Sequence, residues 1–482
     1  MRERILIWIA ALAAFGTCLG GTFVFDDLGM LRDRAITSGS GWWECWRLTQ
    51  TRPLTWFSFW ASYQVGGENP MGWHAVSLVL HSLVAALVWD VLRRLISPRA
   101  ALIAAVIFAV HPMVTEPVAY AFARGTLLAT LFSLLAVRSW ITGRSWWAVG
   151  WFFVAMLAKE ECAALPVFLM GLDWWLEERS RVGPLAAMMG VAGAMGARVL
   201  WAVHVTPGVQ AGAGAGISPL GYLAVQGFEV LRYLRMLVAP WGFSVDYSSV
   251  PPGAAWEVAS WVALVAMMSA AVRYWRVGFW FLAGLALLLP SSSIFPAADL
   301  ANDRRMYLPL VAFAACLGLL LERVDGRAVA AIVVVLAGIS VRYSLLWQSP
   351  EALWSEAVLR APDKLRPRLQ LARSVAPERG LSVLERAKAI APEDSAVPAE
   401  QGRILLTLRR PEEALAAFGR ALALAPGDAM LLNNRGVALA AIGQGDAARA
   451  DFLRALEHNP CLEDARGNLL KMGVTAPEGR CP

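Results

Sequence analysis

The sequence predicts an all-α, polytopic membrane protein of about eleven transmembrane helices, followed by a soluble helical-repeat solenoid. Three observations predict it. Hydrophobic residues make up 57% of the 482 and charged residues only 17%, with mean hydropathy +0.51, where a soluble domain carries about 25% charged residues. The deficit is confined to residues 1–347, in which long apolar runs alternate with short charged clusters. Residues 348–482 have ordinary soluble composition and repeat every 34 residues. The boundary falls near Trp347–Pro350, giving a membrane domain over 1–347 and a repeat domain over 348–482.

A spanning helix needs about 20 apolar residues, with roughly 17 as a floor. The segments that approach this are 5–22, 73–92, 100–117, 122–137, 146–160, 162–177, 185–204, 256–272, 277–292, 305–321 and 328–346. The first resembles a signal peptide, but Thr22-Phe23-Val24 is not the small-x-small site that cleavage prefers, so it reads as an uncleaved helix. Orientation follows from arginines, which favour the inner side. Arg2 and Arg4 place the start inside, and Arg93, Arg94 and Arg99 mark an inner loop. So do Arg138 with Arg144, Arg179 with Arg181, Arg273 with Arg276, and Arg323 with Arg327. Every second loop is basic, which fits eleven crossings and an outer C-terminal domain. Segment 219–239 carries Glu229, Arg232 and Arg235 on one helical face, and reads as an interfacial amphipathic helix, with a twelfth span as the alternative. The long outer loop 23–72, rich in Trp and charge, reads as short helices on the membrane surface.

The net charge of +6 sits mostly in these short loops, which is a topology signal and not a nucleic-acid surface. The 22 Trp residues suit rings at a lipid–water interface. None of the six cysteines forms a CxxC pair, so no structural zinc site is expected. Cys461 and Cys481 flank the last repeat, either as a disulfide or as free thiols.

In the repeat domain, Pro392, Pro426 and Pro460 stand 34 apart. Within that period Gly402 aligns with Gly436, Ala414 with Ala448, Phe418 with Phe452 and Ala421 with Ala455. Small residues where two helices cross, a large apolar residue further on and a helix-ending Pro make the tetratricopeptide signature. A weaker unit precedes them through Leu384, Ala387 and Pro392. Stacked repeats form a concave surface that holds peptide segments; the plainer alternative is a folding cap without a partner.

The topology places several polar residues on the outer side. They are Asp26-Asp27, His111 with Glu116, Arg124, Lys159-Glu160-Glu161, Asp246 and Asp303-Arg304-Arg305. Each alone serves as a snorkelling anchor. Together they suit one chemistry: a carboxylate takes a proton from an attacking hydroxyl, and Arg and Lys hold a phosphate.

Residues 23–347 resemble the membrane core of the C-type (GT-C) glycosyltransferases that use polyprenyl-phosphate sugars. The stretches that carry the resemblance are Phe25-Asp26-Asp27, Arg52-Pro53-Leu54-Thr55 and Asn69-Pro-Met-Gly-Trp-His74 on to Leu80-His81. They continue through His111-Pro112…Glu116…Arg124, Lys159-Glu160…Leu165-Pro166 and Arg304-Arg305-Met-Tyr307-Leu-Pro309. With the repeats included, the chain is most similar to the transmembrane and tetratricopeptide-repeat O-mannosyltransferases and their bacterial relatives. The resemblance implies an inverting transfer of a monosaccharide, mannose or another hexose, from a polyprenyl-phosphate carrier to a Ser or Thr hydroxyl of an exported protein. It implies Asp26 as catalytic base, Asp27 as a positioning group and Glu116 as an orienting acid. It offers Arg124, Lys159 and Arg304 or Arg305 for the lipid phosphate, with Arg52, His111, Glu160, Asp246 and Tyr307 also at the substrate. Related enzymes often have Asp-Glu where this chain has Asp26-Asp27, so which carboxylate reaches the acceptor stays open. His74 and His81 share a helical face and read as packing residues, and no metal or other cofactor is expected. The expected partners are the lipid-linked sugar, an acceptor protein held by the repeats and membrane lipids, with no nucleic acid. The expected setting is a bacterial inner membrane with site and repeats facing the periplasm. The alternative is an inactive scaffold whose repeats recruit envelope-assembly partners.

Overall fold

The computed structural model describes residues 1–179, 181–205, 217–248, 253–297 and 299–475. The chain divides into two compact units, Met1–Ser349 and Pro350–Pro482. Every secondary-structure element among the described residues is a helix.

In the first unit, all eleven apolar segments fall on helices. Among the described residues, six helical stretches are long and apolar enough to cross a membrane: Arg2–Gly20, Pro70–Leu92, Ala121–Ile141, Val182–Val205, Ala254–Arg273 and Gly326–Leu346. A seventh is the pair Pro98–Val110 and Pro112–Ala119, if its bend of 52° is counted as one span. The bend falls at Pro112, which has no N–H to continue the helix, and the His111 side chain accepts the Met113 N–H there. The other four are shorter: Ser145–Ala158, Leu165–Trp175, Trp275–Leu288 and Pro309–Leu321, of 14, 11, 14 and 13 residues. At about 1.5 Å per residue these reach roughly 20 Å, short of a 30 Å hydrocarbon layer. Six or seven helices therefore meet the length criterion, not the eleven expected.

Pro219–Val238 is not among the membrane-length apolar helices. It is amphipathic, and its buried face carries Tyr222, Gln226, Glu229 and Tyr233. That face is anchored by hydrogen bonds: the Gln226 side-chain amide donates to the Leu300 carbonyl at 3.0 Å and the Tyr233 hydroxyl to the Asn302 carbonyl at 2.9 Å. A helix read as lying on the membrane thus holds the loop that leads to Arg304. The loop after the first span forms Asp26–Met30, Arg34–Thr37, a 3-10 turn at Gly41–Trp46, and Pro53–Gly66. Met30, Ile36, Phe59, Trp73 and Ala121 pack into one cluster beneath it. Two of the apolar helices approach closely where a side chain is absent. A Cβ on Gly318 would lie 2.3 Å from the Ala100 carbonyl oxygen, so Gly318 lets Pro309–Leu321 and Pro98–Val110 meet at backbone contact.

The second unit contains the helices Pro350–Arg360, Leu365–Ser374, Pro377–Ile390, Ala396–Thr407, Pro411–Leu424, Ala429–Ala441, Gly445–His458 and Glu463–Lys471. The 34-residue columns now have a physical meaning. A Cβ on Gly402 would sit 2.8 Å from the Phe418 ring, and one on Gly436 would sit 2.6 Å from Phe452. In each repeat the ring fills the notch left by the missing side chain. Gly436→Ala is expected to lower the unfolding free energy by about 1–3 kcal/mol, because a well-packed core tolerates an added methyl only by displacing its neighbours. Thermal unfolding of the full chain, with Gly419→Ala at an open position as control, measures it. The Cys461–Cys481 question lies outside the described residues, because Cys481 is not among them.

Candidate active site

Phe25 has φ of +51°, in the left-handed half of the map that a residue with a Cβ rarely occupies. This turn ends the first span's exit and starts Asp26–Met30, with both acids in the first turn. The two carboxylates then part company. Asp27 is fully buried; its Oδ1 accepts the Phe122 N–H at 2.8 Å and its Oδ2 accepts the Val24 N–H at 3.2 Å. It ties the loop to the segment between Glu116 and Arg124. Asp26 stays partly exposed. Its Oδ2 accepts the Tyr120 hydroxyl at 2.8 Å, while its own N–H donates back to the Tyr120 oxygen at 3.1 Å. Of the two carboxylates, Asp26 is the partly exposed one and Asp27 the buried one.

Glu116 is buried on the short helix Thr115–Ala119. Its Oε1 accepts Arg304 Nη1 at 2.6 Å and its Oε2 accepts the Arg304 backbone N–H at 3.1 Å. The Arg304 guanidinium is thereby fixed while its side chain keeps 29% exposure. It faces a cavity of about 250 Å³ that Arg52, Thr55, Phe122, Thr126 and Lys159 also line. Arg52 forks onto Glu160 through Nε, at 3.0 Å, and Nη2. Lys159 donates to Thr126 Oγ1 at 2.8 Å and pairs with Glu161 at 2.8 Å. Three cations from three separate loops thus converge on one space. Each is aimed by a carboxylate, and these contacts leave Arg52 Nη1 and Arg304 Nη2 for a ligand.

Other expected site residues lie elsewhere. Arg124 is fully buried; it donates to the Ser58 and Trp73 carbonyls and to Ser62 Oγ at 2.8–3.2 Å. Its guanidinium lies over the Phe59 and Trp73 rings, 5.3 and 5.2 Å from their centroids, so it braces the wall instead of facing a phosphate. Arg305 has other partners than Arg304, donating to the Tyr222 hydroxyl and to the Leu300 and Asp299 carbonyls. Of the two, Arg304 is the one that lines the cavity. His111 caps its bend and bonds the Leu237 carbonyl at 3.1 Å. His81 Nε2 lies 3.1 Å from the Ala109 carbonyl, so that nitrogen carries the proton; Nδ1 then accepts the Tyr307 hydroxyl at 2.8 Å. Tyr307 is a buried lock, away from the cavity. Asp246 is buried in the loop after Pro219–Val238, and its neighbour Tyr247 donates to Asp303 Oδ1 at 2.6 Å.

Sequence reasoning passed over Tyr120, which holds Asp26. Its signal was position: it stands midway between Glu116 and Arg124, in the segment both flank. Thr126, which lines the cavity, carried no distinctive signal, whereas Thr55, which lines it too, stands in the Arg52-Pro53-Leu54-Thr55 stretch.

Burial pushes Asp27 up to about 7, against two backbone N–H groups that pull it down. Burial, with Glu116 nearby, pushes Asp303 up to about 8. Both acids are protonated in the folded protein at a pH where the unfolded chain has released the proton. Between the ordinary value of 3.8 and these raised values the folded state binds more protons, so stability falls as pH rises through that window. Thermal midpoints of the purified protein are expected to drop from pH 5 to pH 8, and to drop less in Asp303→Asn.

No family model matches the chain. Curated relatives do. Human protein O-mannosyl-transferase TMTC4 is 33% identical over 162 residues, covering 28% of this chain and 22% of that protein. The Caenorhabditis elegans protein O-mannosyl-transferase F38B6.6 is 31% identical over 156 residues, covering 28% and 22%. Drosophila melanogaster protein O-mannosyl-transferase Tmtc2 is 28% identical over 280 residues, covering 49% and 29%. The matches span about a quarter of the length of these relatives. Among solved structures, a thermophilic TPR protein of Thermus thermophilus overlaps 43% of this chain and 96% of its own at 18% identity, with a TM-score of 0.24. The resemblance carried by the sequence motifs is therefore shown: over a quarter to a half of its length, the chain is similar to the transmembrane and tetratricopeptide-repeat protein O-mannosyltransferases.

Proposed function

We propose that this chain is a membrane glycosyltransferase that moves a hexose, mannose by its relatives' names, from a polyprenyl-phosphate carrier to a Ser or Thr hydroxyl of an exported protein. The observation that carries the reading is the cavity that gathers Arg52, Lys159 and Arg304 beside the loop holding Asp26. Phe122 makes the link: it lines the cavity and donates its N–H to Asp27, the neighbour of Asp26.

In this mechanism Asp26 takes the proton from the acceptor hydroxyl. The hydroxyl oxygen attacks the anomeric carbon on the face opposite the phosphate, and the bond from that carbon to the phosphate oxygen breaks with inversion. The leaving phosphate gains negative charge, which Arg52, Lys159 and Arg304 are already placed to stabilise. Tyr120 and Asp27 hold the base in position. Three fixed cations supply charge at the phosphate, so the proposal includes no metal ion or other cofactor. The cationic cavity also favours a phosphate-linked donor over a neutral sugar. The repeats present the acceptor.

The proposal includes eleven crossings of a bacterial inner membrane, with the shorter helices completed by their flanking turns, and places site and repeats on the periplasmic side. Alternation of the basic loops supports it. The test offers the purified full chain labelled polyprenyl-phosphate mannose, or a nucleotide-linked mannose, with a pool of exported proteins. Transfer from the lipid-linked donor alone is expected. Transfer from the nucleotide sugar alone would overturn the donor assignment.

A further inference from the structure

A second charged cluster lies at the other end of the same helices. Arg4 sits in the first turn of the first span, whereas Asp26 follows that span's far end. Arg138 sits in the last turn of Arg124–Ile141, roughly 20 Å along the helix axis from Arg124. Between them is Asp90, in the last turn of Pro70–Leu92 and nearly buried, with 7% side-chain exposure.

Four guanidinium groups surround this one carboxylate. Its Oδ1 accepts Arg93 Nη2 at 2.8 Å and Nε at 3.2 Å, and Arg4 Nη2 at 3.3 Å. Its Oδ2 accepts Arg138 Nε at 2.9 Å and Arg94 Nη2 at 3.4 Å. The Trp89 ring lies under Arg4 and Arg93, at 5.8 and 4.8 Å from its centroid. One negative charge against four positive ones leaves three uncompensated within the cluster. Ordinary snorkelling arginines spread apart and reach for water. These converge from three candidate spans on a shared carboxylate, yet each keeps between 34% and 54% of its side chain exposed. Asp90 offsets one of the four charges and leaves each guanidinium with N–H groups that it does not take up. Like charges held this close call for a second anion.

We propose that this cluster is a binding site for the phosphate of an anionic phospholipid headgroup. The ends of three candidate spans put it at headgroup depth, and Trp89 marks the same depth. Basic pockets between spanning helices are the arrangement that retains acidic lipid headgroups. Inorganic phosphate offers the same anionic oxygens, so the test separates the two sources. The site does not depend on the glycosyltransferase reading.

The test is native mass spectrometry of the full chain in detergent, titrated with phosphatidylglycerol or phosphatidylcholine, with and without millimolar inorganic phosphate. Phosphatidylglycerol is expected to be retained over phosphatidylcholine and to resist inorganic phosphate. In Arg93→Gln/Arg138→Gln, where Arg4 and Arg94 still satisfy Asp90, its apparent affinity is expected to fall about tenfold or more. Asp90→Asn keeps all four cations and is expected to retain the lipid at least as well. Equal retention of the two lipids, displacement by inorganic phosphate, or an unchanged affinity in the double variant would overturn the proposal. So would loss of the lipid in Asp90→Asn with the thermal midpoint unchanged.

Discussion

Replacing Asp26 with Asn is expected to lower the rate of sugar transfer by about 10²–10⁴-fold, the range a positioned general base supplies. Asn has nearly the same shape and still accepts the Tyr120 hydroxyl, but it cannot take the acceptor's proton. The donor's apparent affinity is expected to stay within about twofold, because Arg52, Lys159 and Arg304 hold the phosphate and none touches Asp26. Stability is expected to change by less than about 0.5 kcal/mol, since Asp26 is partly exposed and pairs with a neutral hydroxyl. Asp27→Asn behaves differently. The new amide NH₂ must face one of two backbone N–H donors, so the variant is expected to lose stability first and activity with it. The comparison separates base from scaffold, and steady-state transfer with a thermal melt reads both.

Arg304→Gln is expected to act on fold and chemistry together. Glu116 is 2% exposed and its strongest partner is the Arg304 guanidinium. Removing that partner leaves a carboxylate in a buried site. Loss of a fully buried pair costs about 3–5 kcal/mol; with the arginine partly open to solvent, about 2–3 kcal/mol is expected here. Transfer is expected to fall by about 10²–10³-fold beyond what the lost stability explains, because one donor to the developing phosphate charge is gone. Arg304→Lys restores the charge but not the fork geometry, and recovers only part of the rate. Arg305→Gln, one residue away, is expected to loosen the 299–305 loop without this direct loss, since its bonds go to Tyr222 and loop carbonyls. Melts and kinetics of the three variants side by side check the assignment.

The helical class and the repeats were legible because both rest on periodic signals. Every apolar segment became a helix, and the Gly402 and Phe418 columns became a notch and its filler. The span count was less legible, because composition reports apolarity and not helix length: Leu165–Trp175 is apolar but only 11 residues long. The site was legible as a set of loops, since charges beside spans gather at one end of a bundle. It was not legible side chain by side chain. Arg124 and Arg305 are as basic as Arg304, but aromatic rings capture one and backbone carbonyls the other. Trp73, which holds Arg124, is 51 positions away, and Tyr222, which holds Arg305 together with those nearby carbonyls, is 83 away, distances that no local pattern records. Pro219–Val238 shows the same limit: read as an interfacial amphipathic helix, it holds the loop that delivers Arg304 through Gln226 and Tyr233.

The central claim is tested most directly by product analysis. Purified wild-type chain and Asp26→Asn are incubated with polyprenyl-phosphate mannose and exported acceptor proteins, and acceptor peptides are mapped by mass spectrometry, with donor binding measured in parallel. The account predicts a hexose on Ser or Thr with the wild type, essentially none with Asp26→Asn, and donor bound by both. Equal transfer by both proteins, or donor binding by the wild type with no transfer to any acceptor, would contradict it.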